Sequence, residues 1–268
     1  MIKLFQSSVL GIIGAALFNI IPVYAQTSAQ TIQPISNRYP STSELKIYFQ
    51  APTSNSEVPD NGTPNSEGTA SRSGSCIAKD IPLTIVTGQS ETLTLTASSH
   101  PTFFVYVPYT SSEVSYGIFT LYDSQTKQEV WNVVFQLPTE PGILSIPSPK
   151  NASALEIDQS YRWFFELNCE SQNGTEPQPL MVQGTVKRIS SQAFEADLST
   201  ATPLEKVNIY AAQGLWYDAV ALLATLQQKD PSNSQLKTLW VELLKASNSR
   251  KLEPIYQESL VGNIILDF

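Results

Sequence analysis

Between Cys76 and Arg188 the chain consists of short runs of alternating side chains broken by turn residues, a pattern that restricts this stretch to a β-rich body. Tyr161, Trp163, Phe165 and Leu167 share one face of such a run, with Arg162, Glu166 and Asn168 outward. Trp131, Val133, Phe135 and Leu137 repeat it, with Asn132 and Gln136 on the other side. Phe103, Val105 and Val107 alternate with Phe104 and Tyr106, apolar on both faces, as a central strand requires. Ile118 against Phe119 and Leu121 is again two-sided, Leu93 and Leu95 alternate with threonines, and Met181 to Arg188 closes the set. Turns fall between the runs at Tyr122-Asp123-Ser124, Pro141-Gly142, Ser148-Pro149 and Asn173-Gly174. No helical crossover separates the runs, which disfavours a parallel sheet. The expectation for 76–189 is an antiparallel, Ig-like β-sandwich of roughly seven or eight strands.

After Arg188 the period becomes helical, and 190–250 reads as a helical segment. Thr202-Pro203-Leu204-Glu205 is a capping box with proline at the first helical position, and this helix should end at Gly214. A second helix is expected from Leu215 to Lys229, with Ala219, Leu222, Leu223 and Leu226 on one face and Pro231 beyond its end. A third, near Ser234 to Ala246, presents Leu236, Leu239, Trp240, Leu243 and Leu244. Tyr210, Gly214, Trp216, Ala219, Leu223 and Pro231 fall at the spacings of a tetratricopeptide repeat, so the segment resembles a TPR-like helical hairpin plus a third helix. Gly214 permits the tight turn, Ala219 lets the helices approach, and Pro231 stops the second helix. Lys206 and Val207 depart from the repeat pattern, as does Leu226. Free-standing arrays normally take three repeats, so the hairpin reads either as a structural cap or as a protein-binding surface. Residues 251–268 are left as a C-terminal tail.

The N-terminus states a location. Lys3 precedes an apolar run from Val9 to Ile21, Pro22 breaks it, and Val23-Tyr24-Ala25 stands before Gln26. This is a secretory signal over 1–25 with cleavage between Ala25 and Gln26, too short for a comfortable membrane span. An uncleaved anchor is the alternative. No transmembrane span is expected after its removal. Residues 26–75, rich in Ser, Thr, Asn, Pro and Gly, read as a disordered low-complexity leader, with a short edge strand at 45–49 where Leu45, Ile47 and Phe49 alternate with Lys46 and Tyr48.

Export makes the two cysteines informative. In an oxidising compartment Cys76 and Cys169 read most economically as one disulfide, the alternative being two buried thiols. The formal charge of −8, with charged residues at 15%, excludes nucleic acid, whose phosphates need Lys and Arg. No catalytic, cofactor or metal constellation is legible. His100 is the one histidine, and no Gly-x-Ser-x-Gly elbow accompanies it. The aromatics Phe103, Phe104, Tyr106, Tyr109, Tyr116, Trp131, Tyr161, Trp163 and Phe164 are read as core or, if exposed as a row, as a platform for sugar rings.

Several uncommon runs occur in order: Ile47-Tyr48-Phe49, Ser71 to Cys76, His100-Pro101-Thr102-Phe103-Phe104-Val105-Tyr106-Val107-Pro108-Tyr109, Pro141-Gly142-Ile143, the Tyr161-x-Trp163 strand to Cys169, Gly184-x-Val186-x-Arg188, and Trp216-Tyr217-Asp218-Ala219. On these residues the chain resembles, over about 45–245, the domain-of-unknown-function family numbered 928 of exported cyanobacterial proteins. The resemblance implies a periplasmic or extracellular envelope protein with no assigned activity. The functional expectation is a non-enzymatic interaction or structural module with a protein partner. A carbohydrate or cell-wall binding module is the alternative, and an unrecognised hydrolase the third reading.

Overall fold

A computed structural model of the chain describes residues 46–51, 76–88, 94–169 and 179–266. The expected signal, its Ala25–Gln26 junction, Leu45 and most of the leader lie outside the described residues. The alternating runs become strands: β1 (Thr84–Ile85), β2 (Thr94–Thr96), β3 (Thr102–Val107), β4 (Val114–Asp123), β5 (Glu129–Gln136), β6 (Gly142–Pro147), β7 (Ser160–Cys169) and β8 (Leu180–Arg188). The helical period yields α1 (Glu195–Thr200), α2 (Pro203–Ala212), α3 (Trp216–Lys229) and α4 (Ser234–Ala246), with short 3-10 helices at Gln192–Phe194 and Arg250–Ile255. Two short strands follow, β9 (Leu260–Asn263) and β10 (Ile265–Leu266).

The strands form two sheets, one ordered β1-β3-β6-β9 and the other β10-β5-β4-β7-β8-β2. The long hairpin-connected strands pair antiparallel, as the turn spacing requires, but both sheets are mixed. At their edges β2 runs parallel to β8 and β9 parallel to β6, which corrects the expectation of a wholly antiparallel sandwich. The reason is connection length. These edge strands meet partners far away in the chain, so no tight hairpin dictates their direction.

Phe103 explains how the sheets face each other. From the middle of the first sheet its ring meets Phe119, Trp131 and Trp163 of the second, with centroids 4.9, 6.4 and 5.5 Å away. Its neighbour Phe104 points the other way and meets Trp240 of α4 edge-on at 6.4 Å. The two-sided apolar pattern of β3 therefore records burial between a sheet and a helical layer. Strands and helices share one buried core, in which Trp163, Trp216, Tyr217 and Phe165 are fully enclosed. A satellite cluster of Phe194, Ile209 and Leu215 packs the first two helices beside Leu95 and Ile189.

The helices begin and end where their sequences dictate. Thr202 accepts from the Glu205 backbone N–H while the Glu205 carboxylate accepts from the Thr202 N–H, completing the capping box. Gly214 takes φ of +73°, a left-handed value that favours glycine, and so turns α2 into α3. The buried face of α3 is rotated from the expected one: Trp216, Ala219, Val220, Leu223 and Ala224 are inside, while Leu222 and Leu226 are only half-buried. In α4 the inward residues are Leu236, Leu239, Trp240, Leu243 and Leu244.

Residues 46–51 form no strand, contrary to expectation. Ile47 is nonetheless buried, Phe49 meets Trp216 edge-on at 5.0 Å, and the Gln50 N–H donates to the Ala211 carbonyl. The segment docks on a helix end rather than on a sheet edge, sharing the Ala211 carbonyl with the Gly214 N–H at the C-terminus of α2.

Cys76 and Cys169 are joined in a disulfide, with Cα atoms 5.1 Å apart, tying the stretch before β1 to the end of β7. Lys79 braces the same corner, reaching Glu113 at 2.5 Å and lying over the Tyr109 ring. At the opposite end of the chain, β9 lengthens the first sheet and β10 the second, with only the buried Ile264 between them. Seven residues thus clip the edges of both sheets.

Candidate functional site

The most heavily anchored stretch is Trp216-Tyr217-Asp218, at the start of α3. The Trp216 indole N–H donates to the Val86 carbonyl at 2.9 Å. Tyr217 passes between the sheets, where its ring meets Phe103 edge-on at 5.1 Å and its hydroxyl accepts from the Trp163 indole N–H at 3.0 Å. Asp218 accepts the Ala97 and Ser98 backbone N–H groups, one on each carboxylate oxygen, at 3.0 and 3.1 Å. Burial raises the Asp218 carboxyl to about 6 against those lowering hydrogen bonds, and it pushes the Tyr217 phenol well above its usual range. Three consecutive side chains therefore fasten one helix to the end of β1, to β7 and to the turn after β2.

A cavity of about 230 Å3 opens beside this joint, lined among others by His100, Lys206, Tyr210 and Asp218. Its Asp218 and His100 are already engaged. Both Asp218 oxygens serve the backbone. The His100 ring nitrogens face the Ala152 carbonyl at 3.2 Å and the Ser99 hydroxyl at 3.0 Å, so a neutral ring donates to the first and accepts from the second. Among the described residues no group of three His, Cys, Asp or Glu side chains is placed to hold a metal ion.

Two larger concavities lie elsewhere. The first, about 460 Å3, is a cleft where α3 and α4 meet the segment leading into β9. Gln227, Gln228, Lys237, Trp240, Tyr256 and Glu258 line it. The Gln227 amide N–H reaches the Leu236 carbonyl at 3.1 Å and braces the α3–α4 turn, and the Lys245 ammonium lies over the Tyr256 ring. Asn233 caps α4, accepting from the Gln235 and Leu236 N–H groups. The Trp240 indole N–H is buried without an acceptor among the described residues.

The second, about 620 Å3, is a shallow groove on the outer face of the six-stranded sheet, around Tyr122 and Phe164. The alternation of β7 turns Tyr161, Trp163 and Phe165 inward and Arg162, Phe164 and Glu166 outward. Phe164 thus places an aromatic ring in the polar phase of the strand.

The expected repeat residues occupy the hairpin itself. Tyr210 is half-buried on α2, Gly214 sits in the turn, Trp216, Ala219 and Leu223 are fully buried on α3, and Pro231 stands exposed just past its end. Of the aromatics weighed as a platform, Phe103, Phe104, Tyr106, Tyr109, Trp131, Tyr161 and Trp163 are buried in the core, leaving Tyr116 and Phe164 outside. The polar cleft escaped the sequence because its lining comes from separate elements that only tertiary packing brings together. The outer groove carried one signal, the apolar Phe164 among polar neighbours.

The class so defined is a mainly β protein of two mixed sheets, with a C-terminal helical part packed on one of them and a disulfide at one corner. The chain belongs to the Domain of Unknown Function (DUF928) family, whose model matches residues 67–260. No curated protein and no solved structure matches it. Among the described residues no helix is long and apolar enough to cross a membrane.

Proposed function

We propose that this chain is an exported, non-enzymatic interaction module whose helical end meets a protein partner. The observation that carries this reading is the cleft between α3, α4 and the segment before β9. Glutamine amides both donate and accept, so Gln227 and Gln228 suit the backbone of an extended polypeptide, while Lys237, Glu258 and Tyr256 offer side-chain recognition. The hairpin with its Gly214 turn is TPR-like in this reading, and α4 is the third helix that completes the binding edge. The two-sheet body serves as an Ig-like rigid frame. Residues 1–25 direct export and are cut between Ala25 and Gln26, the leader ahead of the docked segment 46–51 is a tether, and the oxidising compartment supports the disulfide.

The test is site-specific photo-crosslinking in the native envelope. A crosslinkable side chain at Lys237 should capture a discrete partner, and one at the exposed Lys150 should not. Equal capture at both positions, or none at Lys237, overturns the proposal. N-terminal sequencing of the mature protein should begin at Gln26.

A further inference from the structure

The outer groove of the six-stranded sheet lies on a different face from the helical cleft and has its own chemistry. Tyr122 and Phe164 are diagonal neighbours on β4 and β7, since Tyr122 pairs with Arg162 and Thr120 with Phe164. Their rings meet at 5.7 Å with planes 80° apart, forming an L-shaped corner on a rigid sheet. Around it stand Arg162, Glu166, Lys127 and Met181. Cations and carboxylates are interleaved, so neither a polyanion nor a polycation is complementary to the groove. The match is to a neutral ligand with an apolar face and many hydroxyls.

Glu166 sharpens this. Half-buried between Phe164 and Met181, it makes no hydrogen bond or ion pair among the described residues, and burial alone holds its carboxyl above the usual range. A carboxylate in that position lacks donors, which hydroxyl groups supply. Asp123, the other carboxylate at the groove, is spent. It accepts the Gln125 and Thr126 backbone N–H groups at 2.8 and 2.7 Å and the Gln159 amide at 2.8 Å, and those bonds outweigh burial to hold it below the usual range.

We infer that this groove binds a short stretch of neutral polysaccharide, with a pyranose ring seated in the Tyr122–Phe164 corner and its hydroxyls reaching Glu166 and Arg162. Pyranoses with equatorial hydroxyls fit best, because their axial C–H bonds present an apolar face to an aromatic ring. The groove binds without cleaving. Asp123 pairs with Tyr161 and Ile118 with Glu166, so the backbones of the two acidic residues stand five residues apart along the sheet, roughly 16 Å, and the Asp123 carboxylate is held by its own turn, so the two do not form the facing pair that glycoside hydrolysis requires.

The test is titration of the full mature chain with cellohexaose and chitohexaose, followed by calorimetry and by amide shifts of β4 and β7. Binding of either sugar should weaken about tenfold or more in Phe164→Ala, be retained in Phe164→Tyr, and weaken in Glu166→Gln. Phe164 is on the outer face, so the melting temperature of each variant serves as the folding control. Lys237→Glu, in the helical cleft, should leave sugar binding unchanged, which separates this inference from the protein-partner reading. No binding of either hexaose by the wild-type chain, or equal binding by Phe164→Ala, overturns it.

Discussion

The Trp163 indole N–H donates to the Tyr217 hydroxyl across the boundary between a sheet and a helix, and both groups are fully enclosed. This bond gives the buried indole N–H its acceptor where the Tyr217 side chain passes between the sheets, and the phenol also hydrogen-bonds the Thr94 side chain. Tyr217→Phe leaves the ring packing in place and strands the indole donor. Urea unfolding should show a loss of about 1–3 kcal/mol, and an unchanged midpoint would mean that the bond contributes nothing net.

Gly184 lies opposite Trp163 on β8. A Cβ there would come within 2.5 Å of Trp163 Cζ2 and 2.8 Å of its Nε1. The indole has no room to retreat, so Gly184→Ala should cost about 1–3 kcal/mol by displacing it. Because the displaced ring also loses Tyr217, Gly184→Ala and Tyr217→Phe should be non-additive. A double-mutant cycle measures this directly, and strict additivity would refute the coupling.

Asp218 makes stability depend on pH. Its folded carboxyl lies at about 6, above the roughly 3.9 of an unfolded aspartate, so the folded state holds the proton more tightly. That contribution is complete below about pH 4 and is lost as pH rises through 6. The stability of the wild-type chain relative to Asp218→Asn should therefore fall between pH 4 and 7.5, by on the order of 2–3 kcal/mol. The asparagine turns an amide donor toward one of the Ala97 and Ser98 N–H groups, so it should also cost about 1–3 kcal/mol near pH 5. Parallel stability curves for the two proteins would remove Asp218 from the account.

The Cys76–Cys169 disulfide spans a sequence separation of 93 residues. Reduction, or the paired change to serine, should lower stability by about 2–5 kcal/mol. Alkylation of the native protein followed by mass measurement should find both thiols protected until reductant is added.

How much of this was legible in the sequence depends on where each signal resides. The long strands and α2 to α4 were readable because burial on one face imposes a local period, and in β3 burial on both faces removed it. The parallel edges were not. A strand such as Thr94-Leu95-Thr96 is too short to carry a period, and its partner, Val186 to Arg188, comes much later in the chain. Trp216-Tyr217-Asp218 was visible as a motif but not as a fastening, since its acceptors and donors at Val86, Trp163 and Ala97 are 130, 54 and 121 residues away. Phe164 alone broke the alternation of its strand, and that break marks the outer groove.

The crossing at Ile264 has a consequence for how the molecule is made. β1 begins at Thr84, yet neither sheet has its full complement of strands until Leu260 to Leu266 arrive. A chain that emerges in order from a ribosome, or threads in order through a membrane pore, carries the unpaired flanks of β5 and β6 from the middle of its passage almost to its end. Its final ordering is set by this late arrival, which keeps the partly emerged chain pliable and, for the same interval, adhesive toward any other strand it meets.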